Sequence, residues 1–318
     1  MIERILAAIE RVLTKLGSWV SGGRTRWRWL GYLLTTSAMM YLAYVFIGSG
    51  RQLRDVDFSN YLIPALASLG VYFISLVAQF IVWARMISFH KKADWEDVGI
   101  YSKMILMRRL PGGPWHWVGR AAMYSSSTEV PARVSTMGSL VEWLLILLVG
   151  AAFFFAVLEG VPAFLRGLLV ATAIGLAIAI GVIWQPGSRR WILRFAESGL
   201  WIVLYAVAWL AGLIIFLVIA NATGAGLDWV AGLRVWTIAA GLAVITVVLP
   251  FTLGIQEATL AVLLQPYLDP LLGLVVALMI RLLYIAGDAL WGFLGWQLSR
   301  LMLRRRSYPP TTDKTIGA

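Results

Sequence analysis

The chain has 318 residues, of which 60% are hydrophobic and 14% charged, and its mean hydropathy of +0.80 is typical of a polytopic membrane protein without a separate soluble domain. Its formal net charge of +11 comes from basic residues beside apolar segments, which favours membrane anchoring over nucleic-acid binding. The absence of cysteine excludes disulfides and cysteine nucleophiles, and two histidines argue against a histidine-based metal cluster.

The N-terminal segment, residues 1–27, is predicted to be an interfacial helix. Over residues 2–16, apolar side chains recur every three or four positions, so that apolar and charged residues occupy opposite faces. This pattern predicts a helix that lies on the membrane surface. It is equally compatible with a helix that packs against the protein's own cytoplasmic loops.

Six later segments have the length and hydrophobicity needed to cross a hydrocarbon core of about 30 Å. They are residues 28–48, 60–85, 133–158, 162–184, 197–220 and 270–298. Basic clusters precede the first segment and follow the second, fourth and sixth, so the positive-inside rule predicts that both termini are cytoplasmic. We therefore expect a multi-pass protein of the cell inner membrane whose residues 299–318 form a basic cytoplasmic tail.

An apolar region after the second segment is interrupted by helix-breaking residues. Pro111 and Pro114 cannot continue a helix, and Gly112 and Gly113 permit backbone angles that other residues avoid. The arms on either side have about ten residues each and reach about 15 Å, half of the hydrocarbon core. They are residues 98–107 and 115–124. This shape predicts a re-entrant hairpin that enters and leaves the membrane on the same side.

A second apolar region, residues 229–266, is broken at Pro250. A helical arm is predicted to begin at Gln256 and to end near Pro266. The part before the break, residues 229–249, is long enough either to form the other arm of a hairpin or to cross the membrane alone.

Each half of the chain then contains two spans, a broken hairpin and a third span. The halves are residues 28–158 and 162–298 of a single transmembrane domain, residues 28–298. An odd number of crossings separates the halves, so the second is inverted relative to the first. The sequence thus predicts an all-α fold with about six transmembrane helices and two re-entrant hairpins in two inverted repeats, a pattern typical of alternating-access transporters.

Ionisable residues inside the apolar segments mark candidate positions for a functional site. Glu142 follows Pro111 by 31 residues, and Arg281 follows Pro250 by 31 residues. Opposite charges therefore occupy matching positions in the third span of each half.

The hypothesis drawn from these positions is a lipid-headgroup site. Arg281 would bind a lipid phosphate together with Arg109 and Arg120, because a guanidinium group suits a phosphate diester. Glu142 and Glu257 would hold or relay a counter-charge. In the alternative, Glu142 and Arg281 pair with each other only to keep the two halves in register.

The turns of the two hairpins are candidate anion receptors. Unpaired backbone amides of the helices that follow them would point towards the Gly112–Gly113 turn and towards Gly254, with Pro111 at the start of the first turn. Glu257, in the first turn of its helix, has a second interpretation, in which its carboxylate caps those amides and complements the helix dipole.

His116 and Asp288 each have two interpretations. His116 lies between two tryptophans, where it would contact a headgroup or act as an interfacial hydrogen-bond donor. Asp288 would face Arg281, two turns earlier on the same helix, or a residue of a neighbouring helix. Because no histidine or acid stands at a recognisable spacing from the only serine run, and no nucleotide-binding glycine pattern occurs, we expect no catalytic residues, no metal and no cofactor.

Four sequence features together resemble the lysylphosphatidylglycerol synthase transmembrane region, also called the flippase-like domain family. They are Arg-Arg-Leu-Pro-Gly-Gly-Pro-Trp-His-Trp-Val-Gly-Arg at 108–120, Glu142, Leu-Pro-Phe-Thr-Leu-Gly-Ile-Gln-Glu at 249–257, and Arg281. The resemblance covers residues 28–300 and implies an integral-membrane lipid flippase fold. It resembles a standalone member, since the soluble aminoacyltransferase domain is not expected after Arg306.

Together these observations predict a flippase-like membrane protein that translocates or binds a phosphate-bearing lipid. The lipid would be a phospholipid, an aminoacylated lipid or a polyprenyl-phosphate-linked lipid. The alternative function is that of a non-transporting partner of a membrane glycosyltransferase or of a lipid-carrier pathway. The sequence predicts no oligomeric state.

Overall fold

The computed structural model describes residues 24–49, 61–109, 115–127, 130–185, 190–246 and 254–307. Over these residues the chain is all-helical, with no strand, which confirms the all-α part of the predicted fold class. The predicted interfacial helix and the last part of the predicted tail lie largely outside the described residues.

The helices follow one another with short connections. In chain order they are α1 (Arg24–Ser49), α2 (Leu62–Ile87), α3 (Trp95–Ile105) with a 3-10 turn (Leu106–Arg109), α4 (Trp115–Ser127), α5 (Ala132–Ala156), α6 (Ala163–Trp184), α7 (Trp191–Ala222), α8 (Trp229–Thr246), α9 (Ile255–Leu263) and α10 (Pro270–Ser307). Pro131 and Pro162 immediately precede α5 and α6, and Pro270 begins α10. Proline suits these positions because the first amides of a helix have no intrahelical partner.

Five of the helices in the described part of the chain are long and apolar enough to cross a membrane, which makes this a multi-pass membrane protein. They are α2, α5, α6, α7 and α10, and each covers a predicted crossing. The remaining predicted crossing, at 28–48, lies within α1, a helix of 26 residues.

The two interrupted regions form shorter helices, as the sequence predicts. The first consists of α3 and α4, and its break at residues 110–114 lies outside the described residues. In the second, α8 has 18 residues, which is about 27 Å at the helical rise. The following helix, α9, begins at Ile255, one residue before the predicted start.

The last helix is longer than predicted. It continues to Ser307, beyond the predicted boundary at 298, so part of the expected tail is helical. The hydroxyl of Ser299 donates to the carbonyl of Trp95 at 2.6 Å, which joins this extension to the start of α3. The boundary predicted from hydropathy was too early, because basic side chains end an apolar segment without ending a helix.

Helix pairings in the first half have counterparts in the second. Helix α2 packs against α7. Trp83 of α2 and Trp201 and Phe216 of α7 are fully buried. Helix α3 packs on α10, and α8 packs on α5. Likewise α4 packs on α5, and α9 packs on α10. Both interrupted regions therefore lie between the long helices.

Candidate functional site

A cavity of about 320 Å³ lies inside the helix bundle. Side chains from both interrupted regions and from α2, α5, α7 and α10 line it. Its volume is near the lower end of the range of about 300–1,000 Å³ that is usual for small-molecule sites. Most of the ionisable residues that the sequence analysis selected within apolar segments contribute to its walls.

The first ion pair of the cavity joins α4, in the first interrupted region, to the next long helix. Arg120 of α4 binds Glu142 of α5, and both side chains are almost completely buried. Arg120 also donates to the hydroxyl of Ser139 at 2.8 Å. These bonds stabilise a charge that would otherwise be costly inside the protein.

Arg120 is held from its other side by an aromatic ring. Its guanidinium carbon lies 3.4 Å from the centroid of the Trp83 ring, a cation–π contact. The indole nitrogen of Trp83 donates to the hydroxyl of Tyr124 at 3.0 Å, and that hydroxyl donates to Asp97 at 2.9 Å. Arg120 is thus fixed by contacts from α2 and α5, and this arrangement leaves its side chain little freedom.

The second ion pair occupies the corresponding place in the other half. Glu257 of α9 binds Arg281 of α10. This pair is more open, since the side chain of Arg281 is 29% exposed. The second carboxylate oxygen of Glu257 is buried and has no hydrogen-bond partner among the described residues.

Glycine shapes the start of the helix that carries Glu257. Gly254 has φ of +85°, a left-handed conformation that favours glycine, and it forms the N-terminal cap of α9 without any side-chain cap. Glu257 is the acidic residue of the first turn and complements the helix dipole there. Its hydrogen bond goes to Arg281, so its predicted role in capping the amides is replaced by an ion pair.

The observed pairs differ from the pairs considered from the sequence. Glu142 binds Arg120, and Arg281 binds Glu257, so neither joins the two matching third spans to each other. Asp288 accepts a hydrogen bond from the hydroxyl of Tyr72 on α2 at 2.6 Å. Of its two interpretations, the contact with a neighbouring helix is therefore the one observed.

Arg108 is a cavity residue that the sequence analysis did not include in the site. It donates to the side-chain oxygen of Gln79 at 3.0 Å, and it forms no ion pair within the described part of the chain. The amide of Gln79 also donates to the hydroxyl of Ser75 at 3.0 Å. The sequence signal for this group was Gln79, which stands one turn after Ser75 within an apolar span. Polar side chains in membrane helices commonly hydrogen-bond to groups of neighbouring helices.

Aromatic residues make up much of the remaining wall. They are Tyr72, Tyr101, Trp117, Trp143, Tyr205, Trp209, Trp236 and Tyr284. Trp143 donates to the carbonyl of Val244 in the last turn of α8 at 3.1 Å. Trp236 lies directly against Gly212 of α7, where any side chain would collide with its ring. Nothing in the sequence pattern distinguished these aromatics from lipid-facing ones.

Several lining side chains hold a buried polar atom with no hydrogen-bond partner among the described residues. They are Arg120 Nε, the Tyr205 hydroxyl, Trp209 Nε1, Trp236 Nε1 and Glu257 Oε2. Buried polar groups of this kind normally have a partner, and each unmade bond costs about 1–3 kcal/mol. A polar group inside the cavity, of water or of a ligand, would supply the missing partners.

The other predicted site residues have mixed outcomes. His116 lines the cavity, and its ring centroid lies 4.9 Å from that of Trp117. Arg109 ends the 3-10 turn, but its side chain lies outside the described part of the structure. Pro111, Gly112 and Gly113 lie outside it as well, so their predicted role as an anion receptor stays a prediction.

A separate charged cluster lies at the start of α3, outside the long helices. Asp94 accepts bonds from the amides of Glu96 and Asp97, and the Asp97 carboxylate accepts from the Asp94 amide at 2.8 Å. Burial by itself would raise the pKa of Asp94. The Lys91 ammonium, 3.3 Å away, and the two amides stabilise the carboxylate more than burial destabilises it, so the pKa of Asp94 is lowered. This capping box begins α3, because it supplies acceptors for amides that have no partner within the helix.

Among the described residues, no group of three or more histidine, cysteine, aspartate or glutamate side chains could hold a metal ion. Comparisons with protein-family models, with curated proteins and with solved structures found no significant match to this chain.

Proposed function

We propose that this chain binds the phosphate group of a membrane lipid in the central cavity and carries the headgroup between the two leaflets. The observation that supports this proposal is the cavity itself, which three arginines line inside a bundle of long apolar helices. Ionisable groups are costly at membrane depth, so their convergence on one enclosed space favours a ligand of complementary charge.

Arg108 is the residue that we expect to contact the phosphate first. Its partner is the neutral amide of Gln79, whereas Arg120 and Arg281 are each neutralised by a carboxylate. A phosphate oxygen can replace the amide oxygen at little electrostatic cost and forms a stronger, charge-assisted bond with a guanidinium group. The paired arginines would then complete the cationic wall around the headgroup.

The finer architecture that we propose is two inverted repeats, each with a re-entrant hairpin, and about six crossings with both termini in the cytoplasm. It is supported by the matching helix pairings of the two halves and by two ion pairs of reversed polarity at corresponding places. Such a repeat with interrupted helices around a central site suits alternating access. The resemblance to the flippase-like family favours the same function and stays a prediction.

Reconstitution of the full chain into liposomes tests the proposal. We expect fluorescent phospholipids with a phosphate headgroup to change leaflet faster than in empty liposomes, at a rate that depends on the headgroup. Arg108→Gln should lower the rate by about tenfold to 150-fold, since a lost charge-assisted hydrogen bond contributes about 1.5–3 kcal/mol. Arg85→Gln is the matched control, because Arg85 is exposed and pairs with Glu197 away from the cavity.

Two outcomes would contradict this function. Headgroup-independent rates equal to those of empty liposomes would rule out translocation of these lipids. Lipid retention that depends on Arg108 without any translocation would instead favour the alternative, a non-transporting partner of a membrane glycosyltransferase or lipid-carrier pathway.

A further inference from the structure

Building on the lipid-binding function proposed above, we propose that the phosphate carries a hydroxyl-rich headgroup, a polyol or a sugar, and that it is a singly charged phosphodiester. Three independent features of the cavity lead to this ligand class: its charge balance, the mixed character of its unpartnered polar atoms, and its aromatic walls.

The charge balance of the cavity limits the charge of the ligand. Within the described residues, the lining side chains include three guanidinium groups and two carboxylates, which leaves one positive charge. That charge belongs to Arg108, since Arg120 and Arg281 are each paired. A phosphodiester has one negative charge and matches it, whereas a phosphomonoester or a diphosphate could be neutralised only by taking an arginine from one of the two ion pairs and leaving a buried glutamate without its cation.

The unpartnered atoms suit a ligand that both accepts and donates hydrogen bonds. Arg120 Nε, Trp209 Nε1 and Trp236 Nε1 are donors only, and Glu257 Oε2 is an acceptor only. Phosphodiester oxygens accept but cannot donate, and an ammonium group donates but cannot accept. A hydroxyl group does both, so a headgroup with several hydroxyls serves the whole set.

The aromatic walls suit the same kind of headgroup. Tyr101, Trp117, Trp143, Trp209 and Trp236 combine apolar ring faces with polar N–H or O–H groups at their edges. A polyol or sugar has the complementary arrangement, with C–H groups on its faces and hydroxyls around its edge. A purely apolar ligand would leave the edges unpaired, and a bare phosphate would leave the faces uncovered.

Lipid retention by the purified full chain tests this inference without any variant. The chain is assembled in phosphatidylcholine nanodiscs that contain equal amounts of phosphatidylinositol, phosphatidylglycerol, a polyprenyl-phosphoryl hexose and phosphatidylmethanol, extracted, and its bound lipid quantified by mass spectrometry. Phosphatidylmethanol is the matched probe, because it has the same phosphodiester charge and no hydroxyl. We expect at least one hydroxyl-bearing lipid to be retained about tenfold more than phosphatidylmethanol, the effect of one or two hydrogen bonds.

The hydroxyl-bearing probes also distinguish the possible sources of this headgroup. Stronger retention of phosphatidylinositol or the hexose lipid supports a ring, and stronger retention of phosphatidylglycerol supports a linear polyol. Equal retention of phosphatidylmethanol and every hydroxyl-bearing probe overturns the inference while leaving phosphate binding intact. If none of the four anionic phosphodiester lipids is retained above zwitterionic phosphatidylcholine, the proposed function itself fails, together with this inference.

A variant that removes a single hydroxyl sharpens the test. Tyr205→Phe deletes one of the unpartnered groups, so the preference for the best hydroxyl-bearing probe over phosphatidylmethanol should fall about fivefold. Retention of phosphatidylmethanol should not change. Tyr44→Phe is the control, because Tyr44 is 77% exposed on α1 and does not line the cavity. An unchanged preference in Tyr205→Phe counts against a role of this hydroxyl in recognition.

Discussion

The Arg120–Glu142 and Glu257–Arg281 pairs join the same kinds of helices in the two halves, yet their surroundings differ. Arg120 is enclosed by Ser139, the Trp83 ring and its carboxylate partner, and its side chain is 3% exposed. In the other pair the side chain of Arg281 is 29% exposed, and Glu257 keeps one oxygen without a partner among the described residues.

This difference gives the two similar pairs different roles. A fully enclosed ion pair is costly to break, because either charge left alone remains buried. An open pair can exchange one partner for a ligand, since water or an anion can reach the guanidinium. We therefore expect the Arg120–Glu142 pair to hold the structure, and the Glu257–Arg281 pair to be the one that a ligand could open.

The largest effect is expected from breaking the enclosed pair. Arg120→Gln leaves Glu142 buried without its cation, so we expect the free energy of unfolding to fall by about 3–5 kcal/mol. Thermal or denaturant unfolding of the full chain in detergent micelles measures it. The double variant Arg120→Gln, Glu142→Gln should recover part of the loss, because no charge is then left alone.

The comparison would be wrong if Arg281→Gln destabilised the chain as much as Arg120→Gln does. Equal losses would mean that partial exposure does not separate the two pairs.

A smaller effect is expected at Gly254, the glycine that caps the start of α9. Gly254→Ala forces a side chain into a left-handed conformation, which should lower the free energy of unfolding by about 1–2 kcal/mol. Gly175→Ala on α6 is the control, because its side chain would meet open space. A loss as large in the control as in Gly254→Ala would indicate that the backbone conformation is not the cause.

Replacing Arg281, the partly exposed arginine, should affect lipid binding more than the stability of the fold. For Arg281→Gln we expect a loss of stability of at most about 1 kcal/mol, because the group is partly screened and the dipole of α9 still stabilises Glu257. Retention of phosphatidylglycerol in nanodiscs should fall about tenfold, which corresponds to about 1.4 kcal/mol. A stability loss with unchanged retention would exclude Arg281 from the binding site.

The smallest effect concerns the capping box that begins α3. Asp94→Ala should lower the free energy of unfolding by about 1 kcal/mol, the usual contribution of an N-terminal cap. The folded chain lowers the pKa of Asp94, so this stability is present above the unfolded pKa of about 3.9 and is lost as the pH falls through the lower, folded value. Unfolding at pH 7 and pH 3 checks it: the gap between wild type and variant should shrink at the lower pH.

Much of the fold could be predicted from local sequence. Five of the six predicted crossings coincide with helices long and apolar enough to span a membrane, and α9 begins within one residue of its predicted start. These predictions depend on hydropathy and on proline and glycine, which act on the backbone close to where they occur. The predicted end of α10 was wrong because the residues after the apolar segment, although basic, still favour a helix.

The partners of the charged residues could not be predicted in the same way. Helix periodicity indicates which residues share a face, but it does not indicate which helix that face meets. The sequence selected Glu142, Glu257 and Arg281 as unusual, yet it suggested Glu142 and Arg281 as partners of each other. It also omitted Arg108, whose partner Gln79 is 29 residues earlier on another helix.

Local sequence was enough to specify an all-helical membrane protein, the two places where its helices are broken, and the charges that must be satisfied inside it. That these charges form one enclosed pair and one open pair around a common cavity follows from the packing of the whole bundle. The reason is physical: burial and pairing depend on side chains brought together from helices far apart in the chain, and their packing sets which charges remain accessible to a ligand.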